Sequence, residues 1–156
     1  MSKKNIAVLG AGKMGLGIAQ LFATKGHQVK VIYVYDDKIR CDAAAVVRSN
    51  LSVLVENDVM TQQEADDAAA RISFVDTIEE VADFADIVFE GIIEKLEIKQ
   101  DYFAKMDAIF PVSTILATNT SAISITEIAE KSVHKERIIG THYWNPAYLV
   151  PLVEVI

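Results

Sequence analysis

Apolar runs of strand length alternate with stretches of helical periodicity along almost the whole chain. Asn5 to Leu9 is the first apolar run, and a helical pattern follows it to Lys25, closed by Gly26-His27 with glycine in its usual place past a helix end. Gln28 to Tyr35 (QVKVIYVY) is rich in β-branched and aromatic residues and predicts a second strand. A long helical region is predicted from about Asp37 to Asn57. Thr61 and Glu64 have capping-box spacing and open another helix toward Ala70. Ile72 to Val75 predicts a short strand, and Thr77 with Glu80 a second box on a short helix. Asp86 to Ile92 reads as a buried strand, followed by a helix from about Leu96 to Met106. After Pro111 come a strand from Ser113 to Ala117 and a short helix capped by Ser124 with Glu127. Arg137 to Thr141 and Leu149 to Ile156 are the last predicted strands. This alternation predicts an α/β fold with a mostly parallel sheet. Neither an internal repeat nor a linker divides it.

The turn between the first strand and helix sharpens that picture. Gly10, Gly12 and Gly15 stand in GxGxxG spacing, with Lys13 and Met14 between them and Gly17 beyond. Glycines so placed allow a tight turn, close approach of backbone to a pyrophosphate, and close helix–strand packing. The helix N-terminus then faces the phosphates with free N–H groups. A doubly wound, Rossmann-type sheet follows, with the first, fourth and fifth strands beside the crevice. Ligands in such sheets sit beyond the carboxyl ends of the strands, which selects Gly10–Gly15, Tyr35–Asp37, Glu90–Glu94, Thr118–Ser121 and His142–Asn145. Asp36 is the candidate for the ribose hydroxyls, with Asp37 beside it, and two carboxylates there disfavour a 2′-phosphate. The cofactor expected is NAD. Asp36 and Asp37 also suit the cap of the next helix, and one residue can do both.

Composition narrows the class. A chain of 156 residues at 51% hydrophobic content makes one domain with a substantial core. Mean hydropathy is +0.24. A formal net charge of −7 argues against nucleic acid or an anionic membrane as partner. The one cysteine, Cys41, forms no internal disulfide, which fits a reducing cytoplasm. No apolar run reaches transmembrane length, and Met1-Ser2-Lys3-Lys4 leads straight into the first strand without a targeting segment. No metal site is expected.

Three segments carry candidate chemistry. ATNTSAISI places Asn119, Thr120 and Ser121 after a strand; GTHYWNPAYLVP brings His142 off a strand and Asn145-Pro146 after it; LVEVI holds Glu154. His142 is the one histidine at a predicted crevice edge, whereas His27 and His134 fall in a turn and a polar loop and read as solvated. Imidazole suits proton removal from an alcohol. A carboxylate on its other nitrogen fixes the tautomer and steadies the imidazolium, a role open to Glu154. Ser121 is placed to bond a substrate oxygen, and Asn145 that oxygen or the nicotinamide. A structural histidine and a solvent-facing strand glutamate fit the same spacing, so two readings stand. Glu94 and Lys99 read as a solvated helix start.

These segments resemble the NAD-binding domain of the L-3-hydroxyacyl-CoA dehydrogenases. The resemblance covers essentially the whole chain and rests on IAVLGAGKMGLGIAQ, ADIVFEGIIEKLEIKQDYF, ATNTSAISITEIA and GTHYWNPAYLVPLVEVI, in the family's order and spacing. It implies His142 as general base with Glu154 as its partner, and contacts from Ser121 and Asn145 to substrate and nicotinamide ribose or amide. It also implies that Glu94, Lys99 and Asn119 line the NAD site. The implied reaction interconverts an L-3-hydroxyacyl-CoA and its 3-ketoacyl-CoA. By the same resemblance a helical C-terminal domain closes over the acyl-CoA and builds much of a homodimer interface. No such domain is present in residues 1–156, and an uncovered apolar patch is expected where it would sit.

In strict family register the ribose acid falls at Tyr33, three residues before Asp36. Either the second strand is longer here or the ribose contact is rearranged. HYWNP also differs from the commoner two phenylalanines before Asn-Pro. Dehydrogenases of free hydroxy acids of the carnitine or gulonate type share this layout. A non-catalytic NAD-binding module is the other alternative.

Overall fold

The structure, a computed structural model, describes residues 2–34 and 43–156. Tyr35, Asp36, Asp37 and Cys41 lie outside the described residues. The elements are β1 (Asn5–Leu9), α1 (Lys13–Thr24), β2 (Gln28–Ile32), α2 (Ala43–Glu56), α3 (Gln62–Ala70), β3 (Ile72–Val75), β4 (Ile87–Glu90), α4 (Leu96–Ile109), β5 (Ile115–Thr118), α5 (Ile125–Ile128), β6 (Ile138–Tyr143) and β7 (Val153–Val155). Short 3-10 turns stand at Glu79–Val81 and Lys135–Arg137.

The strands form one sheet in the order β3-β2-β1-β4-β5-β6-β7. The first six are parallel and β7 runs antiparallel to β6. Chain order reverses between β1 and β4, the position at which such a sheet opens its ligand crevice.

The apolar runs of β1, β4 and β5 are continuous because both sheet faces are covered. Ile6 and Val8 point to one side and pack with Leu16, Ile18 and Ala19 of α1, Val47 and Leu51 of α2, and Ala65 and Ala68 of α3. Ala7 and Leu9 point to the other, with Val88, Leu116, Phe103 and Met106 of α4, and Ile128 of α5. A one-residue slip in β1 would exchange these two faces.

Local signals held unevenly. Thr61 and Glu64 form the reciprocal capping box: the Thr61 hydroxyl accepts from Glu64 N–H, and Glu64 accepts from Thr61 N–H. At Thr77 only half the box is present, Glu80 accepting from the Asp76 and Thr77 N–H groups. Ser124 makes no side-chain cap, because α5 is a single turn braced from β6 and α4. β2 stops at Ile32, short of Tyr35, and β7 spans only Val153–Val155. Among the described residues no helix is long and apolar enough to cross a membrane.

His27 and His134 are partnered, contrary to the solvated reading. His27 Nδ1 accepts the Lys4 N–H at 2.9 Å, and its ring meets Phe22 edge-on. His134 joins a buried cluster that ties the end of α4 to the start of β6. There Asp107 accepts from Arg137 at 2.6 and 2.9 Å and from the Val133 and His134 N–H groups, while Arg137 also donates to the Asp107, Phe110, Pro111 and Thr114 carbonyls in and just beyond the last turn of the helix. Burial alone would push the Asp107 carboxyl up. The His134 N–H, the Arg137 guanidinium and the Val133 N–H outweigh it and bring the pKa down to about 2.

A carboxyl depressed in the folded state lends stability above its unfolded pKa of 3.8, and that stability fades as pH falls through about 2. Asp107→Asn should cost about 2 kcal/mol near neutral pH, or about 4–8 °C in Tm for a domain of this size. It should also flatten the acid limb of stability. Urea unfolding between neutral and acid pH checks both.

Candidate active site

The turn after β1 builds a backbone cradle. Gly10 has φ +107°, and a Cβ there would stand 2.9 Å from the Gly91 carbonyl oxygen. A Cβ on Gly15 would lie 1.9 Å from the Gly10 oxygen, so α1 packs directly on the turn. A Cβ on Gly12 would meet nothing within 4 Å, so the backbone there is open to an approaching group. Gly12 is the N-cap of α1 and supplies no side-chain acceptor. The first-turn N–H groups of Lys13, Met14 and Gly15 have no intrahelical partner by helix geometry. An open glycine, a close-packed turn and uncapped N–H groups fit a pyrophosphate. Gly17 instead faces Ala147 and Tyr148.

Beside this cradle, Gly10, Gly12, Tyr33 and Gly91 border a cavity of about 130 Å³. Tyr33 stacks on Phe74 at 5.5 Å between ring centroids, and its N–H donates to the Val75 carbonyl. With β2 ending at Ile32, a longer second strand is not the reason for the register at Tyr33. A larger cavity of about 550 Å³ lies between α1, α2 and the loop after β6, with Lys13 and Asn145 in its wall. Asn145 precedes a cis proline bond to Pro146.

The second group of residues collects at the ends of β5 and β6. Antiparallel pairing sets His142 opposite Glu154, and Nδ1 lies 2.6 Å from Glu154 Oε2. A carboxylate only accepts, so Nδ1 carries the proton and Nε2 offers its lone pair. Ser121 Oγ stands 3.0 Å from that Nε2. Asn119 accepts the Tyr143 N–H at 2.8 Å through Oδ1 and thereby ties the loop after β5 to β6. Tyr143 is buried, which pushes its phenol up to about 12, so it stays neutral and packs against Phe89. His142 is the histidine that this edge presents.

Lys99 is not part of a solvated helix start, and Glu94, though exposed, is held by partners. Lys99 is fully buried, with Nζ 2.7 Å from Glu90 and 3.1 Å from Glu94. Glu94 accepts from the Thr120 hydroxyl and from the Ser121 N–H at 3.1 Å. Burial opposes ionisation of Glu94, but the Thr120 hydroxyl, Lys99 and the Ser121 N–H outweigh it and hold its carboxyl below the usual range. Glu90, Thr118 and Thr120 fall at predicted crevice-edge positions, but their spacing indicated no partner or individual role for any of them. A signal existed: Lys99 shares the i, i+4, i+7 stripe of Phe103 and Met106, both core residues. Among the described residues no group of His, Cys, Asp and Glu suits a metal ion.

A doubly wound sheet with a glycine cradle at its reversal point, and a histidine–carboxylate pair on the same edge, defines the cofactor domain of a dinucleotide-dependent oxidoreductase. Residues 5–156 match the family model described as 3-hydroxyacyl-CoA dehydrogenase, NAD binding domain. The chain belongs to that family, as its NAD binding domain. It is 42% identical over its full length to a probable 3-hydroxybutyryl-CoA dehydrogenase of Bacillus subtilis, and covers 54% of that protein. A 3-hydroxybutyryl-CoA dehydrogenase of Bradyrhizobium diazoefficiens is 37% identical, with 98% of this chain matching 52% of that protein. The crystal structure of the Escherichia coli K12 3-hydroxybutyryl-CoA dehydrogenase superimposes with a TM-score of 0.92 at 36% identity, covering 99% of this chain and 32% of that one. The chain thus spans about half the length of the first two relatives.

Proposed function

We propose that this chain is the cofactor-binding, base-bearing part of an enzyme that interconverts an L-3-hydroxyacyl-CoA and its 3-ketoacyl-CoA. The observation that carries the proposal is His142, tied at Nδ1 to Glu154 and facing Ser121 with Nε2, on the sheet edge that bears the glycine cradle. The names of its relatives point to a CoA thioester as substrate.

Gly10, Gly12 and Gly15 with the N–H groups of Lys13 and Met14 would hold the cofactor's phosphates. Asn145, Asn119 and Glu94 would line its nicotinamide end, whereas Lys99, implied there by the family resemblance, is fully buried and reaches that end only through Glu94. NAD, when bound, supplies the hydride acceptor at its nicotinamide ring. His142 Nε2 takes the substrate hydroxyl proton, and Glu154 steadies the resulting imidazolium through Nδ1. Ser121 donates its hydroxyl to the substrate oxygen and holds it beside Nε2. In the reverse direction the same imidazolium returns the proton to the ketone oxygen. Asp36 remains our candidate for the ribose hydroxyls, and Tyr33 walls the cavity beside the glycine cradle.

Trp144, Leu149, Leu152, Val155 and Ile156 are exposed around β7. That apolar surface supports a helical C-terminal domain closing there in the full-length enzyme, with homodimerisation through it. A single cysteine supports a cytoplasmic setting.

With the helical domain of a relative supplied, NADH should be consumed on adding acetoacetyl-CoA, and far more slowly by the chain alone. Free acetoacetate should give no turnover. Reduction of the free acid but not the thioester would favour a carnitine- or gulonate-type enzyme. NADH binding with no turnover of either substrate under every one of these conditions would mark a non-catalytic module.

A further inference from the structure

Beneath the rim that carries Ser121 lies a buried ion pair to which the mechanism gives no work. Glu90 closes β4 and is fully buried, as is Lys99, which reaches it from the first turn of α4. Lys99 Nζ lies 2.7 and 2.8 Å from the two Glu90 oxygens. Those oxygens also accept the Ile92 N–H at 2.7 Å and the Thr118 hydroxyl at 2.6 Å. Thr118 is the register partner of Glu90 across β4 and β5. A buried ion pair is a weak source of stability, since apolar side chains of similar volume often serve as well. A sheet centre has no need of this one for packing alone.

Lys99 has a second acceptor, Glu94 Oε2 at 3.1 Å. Glu94 holds the Thr120 hydroxyl and the Ser121 N–H, and Ser121 Oγ stands 3.0 Å from His142 Nε2. An unbroken polar path therefore leads from Glu90 through Lys99, Glu94 and Ser121 to His142. Ser121 and Glu94 are both exposed and both lie on irregular backbone, where packing holds them weakly. A lysine stem is flexible and fixes a neighbour only if its own ammonium is fixed. Glu90, rigid at a strand end with three donor groups making four hydrogen bonds to it, provides that fixed point.

We propose that Glu90 is a positioning residue. It locks Lys99, which locks Glu94, which holds the Thr120–Ser121 turn so that Ser121 Oγ meets His142 Nε2. Thr118 supports it by occupying one Glu90 oxygen. The inference rests on the reading of Ser121 and His142 given above.

The His142 ring resonances in NMR test it in the chain itself, without substrate or cofactor. Ser121→Ala should displace the His142 signals at fixed pH by removing the partner of Nε2. Glu90→Gln keeps shape, removes the charge, and should displace them in the same direction by at least about half as much. In the Ser121→Ala background it should add nothing, since both changes act on one contact. His27 and His134 serve as internal references and should not move. A lowered Tm with His142 unmoved in Glu90→Gln would show a merely structural pair and overturn the proposal. If Ser121→Ala itself leaves His142 unmoved, the Ser121–His142 contact fails, and the site reading fails with the proposal. Should Glu90→Gln not fold, Thr118→Val removes one donor and keeps both charges. A smaller displacement in the same direction then supports the proposal, and none overturns it.

Discussion

Replacing His142 with glutamine should lower turnover of acetoacetyl-CoA by about 10²- to 10⁴-fold while NADH binding changes by less than about twofold. Glutamine retains a polar side chain of similar reach but has no nitrogen that takes up a proton. The cradle at Gly10–Gly15 is built from β1 and α1 and does not touch His142. Steady-state kinetics in the presence of the helical domain, with NADH fluorescence on the chain alone, separate the two effects. Near-wild-type turnover in this variant would remove His142 from the mechanism. Loss of NADH binding equal to the loss of rate would make it a cofactor ligand instead.

Gly15→Ala should be the most damaging single change to the fold near the site. The added carbon would stand 1.9 Å from the Gly10 oxygen, a backbone atom that moves only if the turn or α1 moves. Stability should fall by about 3 kcal/mol, and NADH affinity by more than about tenfold as the cradle opens. Gly12→Ala provides the contrast. Its Cβ meets nothing within 4 Å, so stability should fall by only about 0.5–1 kcal/mol, the difference between glycine and alanine at an N-cap. NADH affinity should nevertheless drop, because that carbon occupies the space through which a phosphate approaches the backbone. Thermal unfolding and NADH titration of the two variants form the test. A stable Gly15→Ala, or a Gly12→Ala that binds NADH like the wild type, would contradict the cradle as drawn.

Much of this architecture was legible in the residues because periodicity and turn chemistry agree along the chain. The continuous apolar runs of β1 and β4 specify strands covered on both faces, and the glycine spacing specifies which crossover bears the ligand. The pairing of His142 with Glu154 was readable only as one of two possibilities. Twelve positions of chain separate them, and what joins them is an antiparallel return that places the two side chains opposite each other. Lys99 was misread for a different reason: charge at a helix start usually means solvent, and tertiary pairing with Glu90 overrode that default. The Ser124 cap failed because its four-residue helix is held by neighbours rather than by its own end. His134 read as a loop histidine because its partner, Asp107, lies 27 residues away on α4.

The family resemblance added what spacing could not: the substrate class and the assignment of Glu94 and Lys99 to the cofactor site. The buried geometry then gave Lys99 a second partner in Glu90, which neither spacing nor resemblance had indicated.

A deuterium label follows the proposed hydride transfer from cofactor to substrate. Reduced cofactor carrying deuterium at the transferable position of the nicotinamide ring is mixed with acetoacetyl-CoA, the chain and the helical domain, and the product is read by mass spectrometry and chiral analysis. One deuterium is expected at C3 of the L-3-hydroxybutyryl-CoA formed, and almost no labelled product when His142→Gln replaces the wild type. Unlabelled product, or label retained wholly in the cofactor while His142 is intact, would contradict it.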